Sequence, residues 1–252
     1  MNKDICVITF TVDRVMLLIR CIHSVRLQGL PVRHLIFSEN SDVLQRDTRL
    51  KDYLEFVEFH KIEGEPHKGA SSPRMAALRQ YSLSHVHEKY VCFLDDDNEM
   101  EPGHLKSLMA VINEQQLVAA YSWRLLLHAD GTHFDGSSYP WHHDPAEAHI
   151  RWKWCIDAGV MIQGQPVMRD GPVTVPDPLR LATVDMNEWL FKTEELKLIG
   201  LLAEFTDKEV ESRMGEDDKL FGRIQMMGLP IAGTGLATIR YYLGGVSNYC
   251  IN

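Results

Sequence analysis

Apolar residues in the first half of the chain come in short bursts, separated by stretches where they recur every three or four positions. Ile5 to Thr11, His34 to Ser38 and Phe56 to His60 are bursts rich in β-formers, the pattern of buried strands. Between the first two, Leu18, Ile22 and Val25 share a helical face that Gly29-Leu30-Pro31 ends, and Asp42 to Leu54 also reads as helical. Ser71-Ser72-Pro73 reads as the cap and first turn of a helix with Met75, Leu78 and Ser82 on one side. The burst Tyr90 to Leu94 runs straight into Asp95-Asp96-Asp97. Behind it Pro102 suits a first helical turn, and Leu105, Leu108, Met109 and Ile112 follow at helical spacing. Strands alternating with helices predict an α/β fold with a mostly parallel central sheet.

After residue 126 the pattern loosens. The stretch from His128 to His149 is loop-like, Trp152 to Gln163 reads as a strand, and Gly164 to Pro178 is broken by Pro166, Pro172, Pro176 and Pro178. Asn187 to Ile199 and Glu216 to Met227 read as helices, the second with Leu220, Phe221 and Ile224 inward, and Thr238 to Leu243 reads as a last strand. No internal repeat is visible, and one domain over residues 1–252 is expected.

The three aspartates sit at the C-terminal edge of a strand, where open α/β sheets bind ligands. Adjacent carboxylates repel unless something positive lies among them, and a divalent hard cation is the simplest resolution. An acidic turn capping the next helix is the other reading. Gly215-Glu216-Asp217-Asp218 opens a later helix, and alone it reads as capping, since acids there meet free N–H groups and the positive end of the dipole. Paired with a metal-type cluster elsewhere, it also suits chemistry that needs a held leaving group and a separate carboxylate base.

Composition narrows the field. With 252 residues, 45% of them hydrophobic, the chain is long enough for a substantial core, and a charged fraction of 24% argues against disorder. The net charge of -9 argues against nonspecific nucleic-acid binding but leaves room for a local basic pocket holding one diphosphate. Cys6, Cys21, Cys92, Cys155 and Cys250 lack metal or redox spacing, so reduced thiols and a cytoplasmic location are expected. The N-terminus leads into a strand without a long apolar core, so no signal peptide is expected, and Val15 to Ile19 is too short to span a bilayer. Peripheral action at a membrane on a lipid-linked acceptor stays open.

The order of parts resembles the GT-A glycosyltransferases of family 2. The elements carrying the resemblance are Cys6 to Phe10, Ser24-Val25-Arg26-Leu27-Gln28, Ser38-Glu39-Asn40-Ser41, Gly69 to Arg74, Phe93 to Asn98 and Gly215-Glu216-Asp217. Arg74-Met75-Ala76-Ala77-Leu78 and Ile156 to Met161 look most like the spore-coat polysaccharide branch. The resemblance implies a three-layer α/β/α sandwich, with residues 1–125 binding a nucleotide-sugar and 126–252 shaping the acceptor site. It implies transfer of a sugar from a UDP-, GDP- or dTDP-sugar, with inversion and a Mn²⁺ or Mg²⁺ cofactor. The acceptor hydroxyl would belong to a carbohydrate, a lipid-linked molecule or another class, in polysaccharide biosynthesis, and a homo-oligomer is compatible.

The implied roles fall on individual residues. Asp97 matches the metal-binding acid, and Asp96 and Asp95 would contact the ribose or support the metal. Glu39 stands where the family has an aspartate that reads the base, Arg74 matches a basic residue near the nucleotide, and Phe10, Thr11 and Arg14 belong to the loop at the nucleotide. Asp217 matches the catalytic base, with Glu216 its rival, and Asp157 matches an acid lining the sugar or acceptor pocket. The family's aromatic beside the base is absent from Phe10-Thr11-Val12-Asp13-Arg14. A late histidine that some members place near the metal is also absent, since the last one here is His149.

Two other functions compete: a sugar-1-phosphate nucleotidyltransferase and a non-catalytic nucleotide-sugar binder. The first usually has a Gly-rich loop after its first strand, and Phe10 to Arg14 holds no glycine. His128, His133, His142, His143 and His149, with Asp130, Asp135 or Asp144, match no compact zinc spacing and read as a polar loop near the acceptor. Trp141, Trp152, Trp154 and Trp189 read as core or interface before sugar platforms. Lys68 is within reach of a diphosphate or a plain surface lysine.

Overall fold

The computed structural model describes residues 3–63, 71–201, 204–212 and 214–244. β1 (Ile5–Phe10) leads to α1 (Val15–Arg26), and Gly29, at φ 64°, turns the chain into β2 (Val32–Ser38). The expected helix over 42–54 is broken. A short α2 (Ser41–Leu44) gives way to a 3₁₀ segment over Thr48–Phe56, whose start is capped by the Asp47 carboxylate accepting the Arg49 N–H at 2.9 Å. β3 (Val57–Lys61), α3 (Ser71–Ser82) and β4 (Tyr90–Phe93) follow as expected. Pro102 lies outside the next helix, because a two-residue β5 (Glu99–Met100) and the left-handed Gly103 precede α4 (His104–Gln115).

The second half departs more. β6 (Ala119–Leu127) had no counterpart in the sequence reading. The expected strand over 152–163 is instead the end of a helix, α5 (Pro145–Asp157). Its start is fixed by the Asp144 carboxylate, which accepts the N–H groups of Ala146 and Glu147 at 2.9 and 3.0 Å, and by Pro145 in the first turn. β7 (Val167–Met168) is short. The expected helix over 187–199 splits into the buried strand β8 (Trp189–Lys192) and α6 (Thr193–Ile199). α7 (Asp207–Glu211) and α8 (Glu216–Met226) precede β9 (Ile231–Tyr242), which starts seven residues before the expected Thr238.

One sheet runs through both halves in the order β3-β2-β1-β4-β8-β6-β9-β5, with β7 paired to β6. Pairing is parallel from β3 to β4 and between β6 and β9, and antiparallel elsewhere. Alternating side chains put Cys6 and Ile8 of β1 against Leu78 of α3 and Leu220, Phe221 and Ile224 of α8. Ile5 and Val7 face Cys21 and Val25 of α1 and Leu105, Leu108 and Ile112 of α4. The result is the three-layer α/β/α sandwich. A satellite cluster around Leu126, Phe134, Cys155 and Met168 packs α5 and its loops beyond the sheet. Cys6, Cys21, Cys92 and Cys155 are buried free thiols, while Cys250 lies outside the described residues. Among the described residues no helix is long and apolar enough to cross a membrane.

Candidate active site

β1 and β4 are parallel neighbours, so the loops leaving their C-terminal ends lie side by side. That places Thr11 and Arg14 against the aspartate run. Thr11 Oγ1 donates to Asp96 Oδ2 at 2.5 Å, and Arg14 donates through Nε to the same oxygen at 3.3 Å and through Nη2 to Oδ1. Asp96 is fully buried with both oxygens taken. Its bonds to Thr11 and Arg14 make Asp96 part of what builds this edge of the sheet. Burial pushes its carboxyl up, against the pull of Thr11 and Arg14. Arg14 also donates through Nη1 to Asp97 Oδ2 at 2.7 Å, while Arg20 donates to the Asp97 backbone carbonyl at 2.7 Å. Asp97 Oδ1 has no partner among the described residues. Part of the repulsion that suggested a metal is thus met by an arginine of the chain itself.

The third aspartate turns the other way. Asp95 Oδ1 accepts from Arg79 at 3.3 Å, its Oδ2 accepts from Asn187 Nδ2 at 2.9 Å, and its own N–H donates to Asn187 Oδ1 at 2.6 Å. Arg79 is buried on α3, and its other terminal nitrogen donates to Glu216 at the start of α8. One guanidinium therefore joins the two acidic clusters, which are 121 positions apart from Asp95 to Glu216 in the chain. Burial first, then Asp97 and Asp185, raise the Asp95 carboxyl to about 7, with Arg79 acting in the opposite direction.

The ladder continues beneath. Asn187 Nδ2 also donates to Asp185 Oδ1 at 2.6 Å, and Arg124 of β6 donates to Asp185 Oδ2 at 2.6 Å and lies 2.8 Å from buried Asp170. Burial, with Asp170 beside it, pushes the neighbouring Glu188 carboxyl well up. Arg79, Arg124, Asp185 and Asn187 were not singled out from sequence. The available signal was Arg79 on the helix face it shares with Met75 and Ser82, because a charged residue on an apolar face needs buried acids.

At α8 the capping reading holds in part. Asp218 Oδ2 accepts the Gly215 N–H at 3.0 Å, and Asp217 Oδ1 accepts the Asp218 N–H at 2.9 Å. A Cβ at position 215 would collide with Asp217 Oδ1, so glycine is what lets that carboxyl fold over the helix start. Among the described residues Asp217 has no ion-pair partner, whereas Glu216 has Arg79. Burial first, then Asp218 and Glu216, push the Asp217 carboxyl well above the usual range. These effects outweigh the helix dipole, which alone would keep it ionised.

Asp95, Glu216 and Asp217 line one cavity of about 1160 Å³. Glu39 and Arg74 lie outside its lining; they pair with each other at 2.6 Å, both about half-exposed. Phe10 packs on Phe37, ring centroids 5.5 Å apart. Asp157 is exposed at the end of α5 and does not line the cavity, because its segment is a helix and not the expected strand. Lys68 and Gly69 lie outside the described residues. Asp130, Asp135 and Asp144 accept local N–H groups of turns and of the α5 start, and His149 stacks on Trp152. Trp189 is core, whereas Trp141 lines the cavity.

Among the described residues no three His, Cys, Asp or Glu side chains gather as a metal cage. A Mg²⁺- or Mn²⁺-type ion needs only one or two carboxylates when phosphate oxygens and water complete its shell. The hard, unpartnered Oδ1 of Asp97 fits that smaller requirement.

Solved structures with the same fold include S. aureus TarS (TM-score 0.57, 13% identity, covering 98% of this chain and 38% of that one). A shorter TarS, residues 1–349 in complex with UDP-GlcNAc, matches with TM-score 0.56 and 13% identity over 100% of this chain and 62% of that one. The mannosyltransferase PcManGT from Pyrobaculum calidifontis, in complex with GDP-Man and Mn²⁺, matches with TM-score 0.57 and 12% identity over 98% and 59%. The chain thus spans less than two thirds of each of these proteins. No curated protein matches it by sequence. The profile described as glycosyl transferase family 2 matches residues 4–158, more than half of the chain, and the chain belongs to that family.

Proposed function

We propose that the protein transfers a sugar from a nucleotide-diphosphate donor to an acceptor hydroxyl, with inversion. The observation carrying this reading is the Arg79 bridge, which holds a strand-end acid and a helix-start acid at one cavity. The donor diphosphate would lie over the β1 and β4 edge, near Asp97 and Arg74. The acceptor would enter the cavity beside α8. TarS with UDP-GlcNAc and the mannosyltransferase with GDP-Man and Mn²⁺ support a nucleotide-sugar as the donor class.

The two candidate bases are unequal. Glu216 is held by the buried Arg79 guanidinium, which fixes it as a positioning group. Among the described residues Asp217 has no such partner, and burial beside Asp218 and Glu216 raises its carboxyl, so that once ionised it is a stronger base than an ordinary carboxylate. Asp217 would accept the acceptor's proton as the new glycosidic bond forms and the bond from sugar to diphosphate breaks. Gly215 and the buried face of α8 keep its carboxyl in place. A divalent cation on Asp97 Oδ1 would offset charge developing on the departing diphosphate.

Family membership weighs against the nucleotidyltransferase alternative, and turnover separates an enzyme from a mere binder. The test is release of free nucleoside diphosphate from a panel of UDP-, GDP- and dTDP-sugars with Mn²⁺ or Mg²⁺. Release that requires Asp217 supports the reading. Tight nucleotide-sugar binding with no release under any acceptor mixture overturns it.

A further inference from the structure

The cavity is lined by cations as well as by acids. Arg151 of α5, Arg180 of the loop before β8 and Lys208 of α7 all line it. None of the three forms an ion pair among the described residues, although the chain carries a net charge of -9. Several acids near them have other donors. Glu209 takes Lys219 at 2.9 Å and the Thr206 N–H at 2.7 Å, Asp218 takes Gly215, and Asp177 takes the N–H groups of Leu181 and Ala182 at 3.0 and 2.7 Å. Arg151 adds a second sign: its Nε is buried with no hydrogen-bond partner, and its guanidinium sits 5.9 Å from the centre of the Tyr139 ring. Arg180 holds a left-handed backbone at φ 52°, uncommon for a residue with a side chain, in the turn that Asp177 braces. The buried Arg151 Nε, left without an acceptor, is the group that points to one arriving with a ligand.

We propose that these lining cations receive an oxyanion borne by the acceptor substrate, a phosphate or a carboxylate. The two guanidinium forks would grip its oxygens and Lys208 would add a point charge. Tyr139 and Trp141, on the same cavity wall, would face the sugar or polyol that carries the anion. The proposal rests on the reading of the cavity as an acceptor site. It explains how a chain with excess negative charge would hold an anionic acceptor in a cavity that also carries carboxylates.

The test is calorimetric titration at fixed ionic strength, with and without a nucleoside diphosphate and Mn²⁺ filling the donor side. The probes are glycerol 3-phosphate and glucuronate, against neutral glycerol and glucose. At least one charged probe should bind about tenfold or more tightly than its neutral counterpart, and Arg151→Gln and Arg180→Gln should each weaken it by about tenfold, the scale of a hydrogen bond to a charged group. Preference for glycerol 3-phosphate assigns a phosphate, and preference for glucuronate a carboxylate. Arg180 and Lys208 are exposed, so Arg180→Gln and Lys208→Gln keep the test valid should Arg151→Gln misfold. Equal response to charged and neutral probes, or unchanged affinity in the variants, overturns the inference. Nucleoside diphosphate binding without charge discrimination sinks the anion site and leaves the transferase reading intact. Arginine-dependent anion binding by a protein that binds no nucleoside diphosphate does the reverse.

Discussion

The strand-end acids and the helix-start acids look alike in sequence and differ in what holds them. Among the first, Asp96 and Asp97 share Arg14, and Asp95 has Arg79 and Asn187. Among the second, Glu216 alone has a cation among the described residues, while Asp217 and Asp218 are folded onto the first turn of their own helix. Position in the fold sets this difference. Loops leaving parallel neighbouring strands bring residues from distant parts of the chain together, whereas a helix start supplies its own N–H donors. Arginine fixes the geometry of Asp95 and Asp96 without undoing the rise that burial gives their carboxyls, while Asp217, among like charges, is pushed well above the usual range.

Breaking the link between the clusters should have the largest effect. Arg79→Met leaves Asp95 and Glu216 without their shared cation in a buried setting, and loss of one partner of a buried pair typically destabilises by about 3–5 kcal/mol. Urea denaturation should report a loss of that size, and adding Glu216→Gln should recover part of it. A loss under about 1 kcal/mol, the level of an exposed pair, would mean that Arg79 does not join the clusters in solution.

Next comes the unpaired acid. Asp217→Asn should cut turnover by roughly 100-fold or more while leaving donor binding near normal, the scale for removing a general base. Asp218→Asn should be milder, since its carboxylate serves the helix start. The pH dependence follows from direction. A carboxyl raised in the folded state holds its proton more tightly than in the unfolded chain. Its contribution is full below about pH 4 and is lost as pH rises through the folded value, about 7 for Asp95. Denaturation at pH 5 and pH 8 should therefore show Asp217→Asn losing less stability between the two than the parent. An equal loss would mean that Asp217 ionises normally.

The same contrast explains what could be read in advance. Tyr90 to Leu94 was legible because a short apolar run ends in charge, and α8 because its buried face repeats at helical spacing. β8 was not, since Trp189 to Lys192 adjoins the apolar face of α6 and a fully buried strand shows no alternation. α5 was read as a strand over Trp152 to Gln163, whereas the structure starts a helix at Asp144 and Pro145 that runs to Asp157. At the site, the acids announced themselves by clustering. Arg79 did not, because its only sign was the helix face it shares with Met75 and Ser82, and Arg14 was placed at the nucleotide by resemblance and not as the partner of the acids until topology brought them to it.

A smaller effect belongs to the metal question. Arg14→Gln strips Asp96 and Asp97 of a partner that is one-third exposed, so a stability loss of about 1–3 kcal/mol is expected by thermal or urea unfolding. Asp97→Ala should keep the fold but weaken Mn²⁺-dependent binding of a nucleoside diphosphate in calorimetric titration. Affinity that is unchanged by both Asp97→Ala and omission of Mn²⁺ would leave charge compensation at this edge to Arg14 alone.

The smallest effect on stability is expected at Glu39 and Arg74, and there the comparison is sharpest. This pair has the 2.6 Å geometry of a strong ion pair, yet its side chains are 54% and 47% exposed. Solvent screening and side-chain entropy leave such a pair at about 0–1 kcal/mol, so Glu39→Ala and Arg74→Ala should barely move the unfolding midpoint. Evidence for a role beyond the fold must therefore come from ligands. Glu39 ends up next to β2 and Arg74 in the first turns of α3, and an incoming nucleotide would compete with each for the other. Arg74→Ala should lower affinity for the diphosphate with any base, because it removes a phosphate-facing cation. Glu39→Ala should instead change the ranking of UDP, GDP and dTDP, because it removes the acceptor of base N–H groups. A double-mutant cycle on nucleotide affinity separates the cases. Additive losses place the two side chains on different parts of the ligand. Strong coupling with no change of base ranking reduces them to one surface salt bridge and removes Glu39 from recognition.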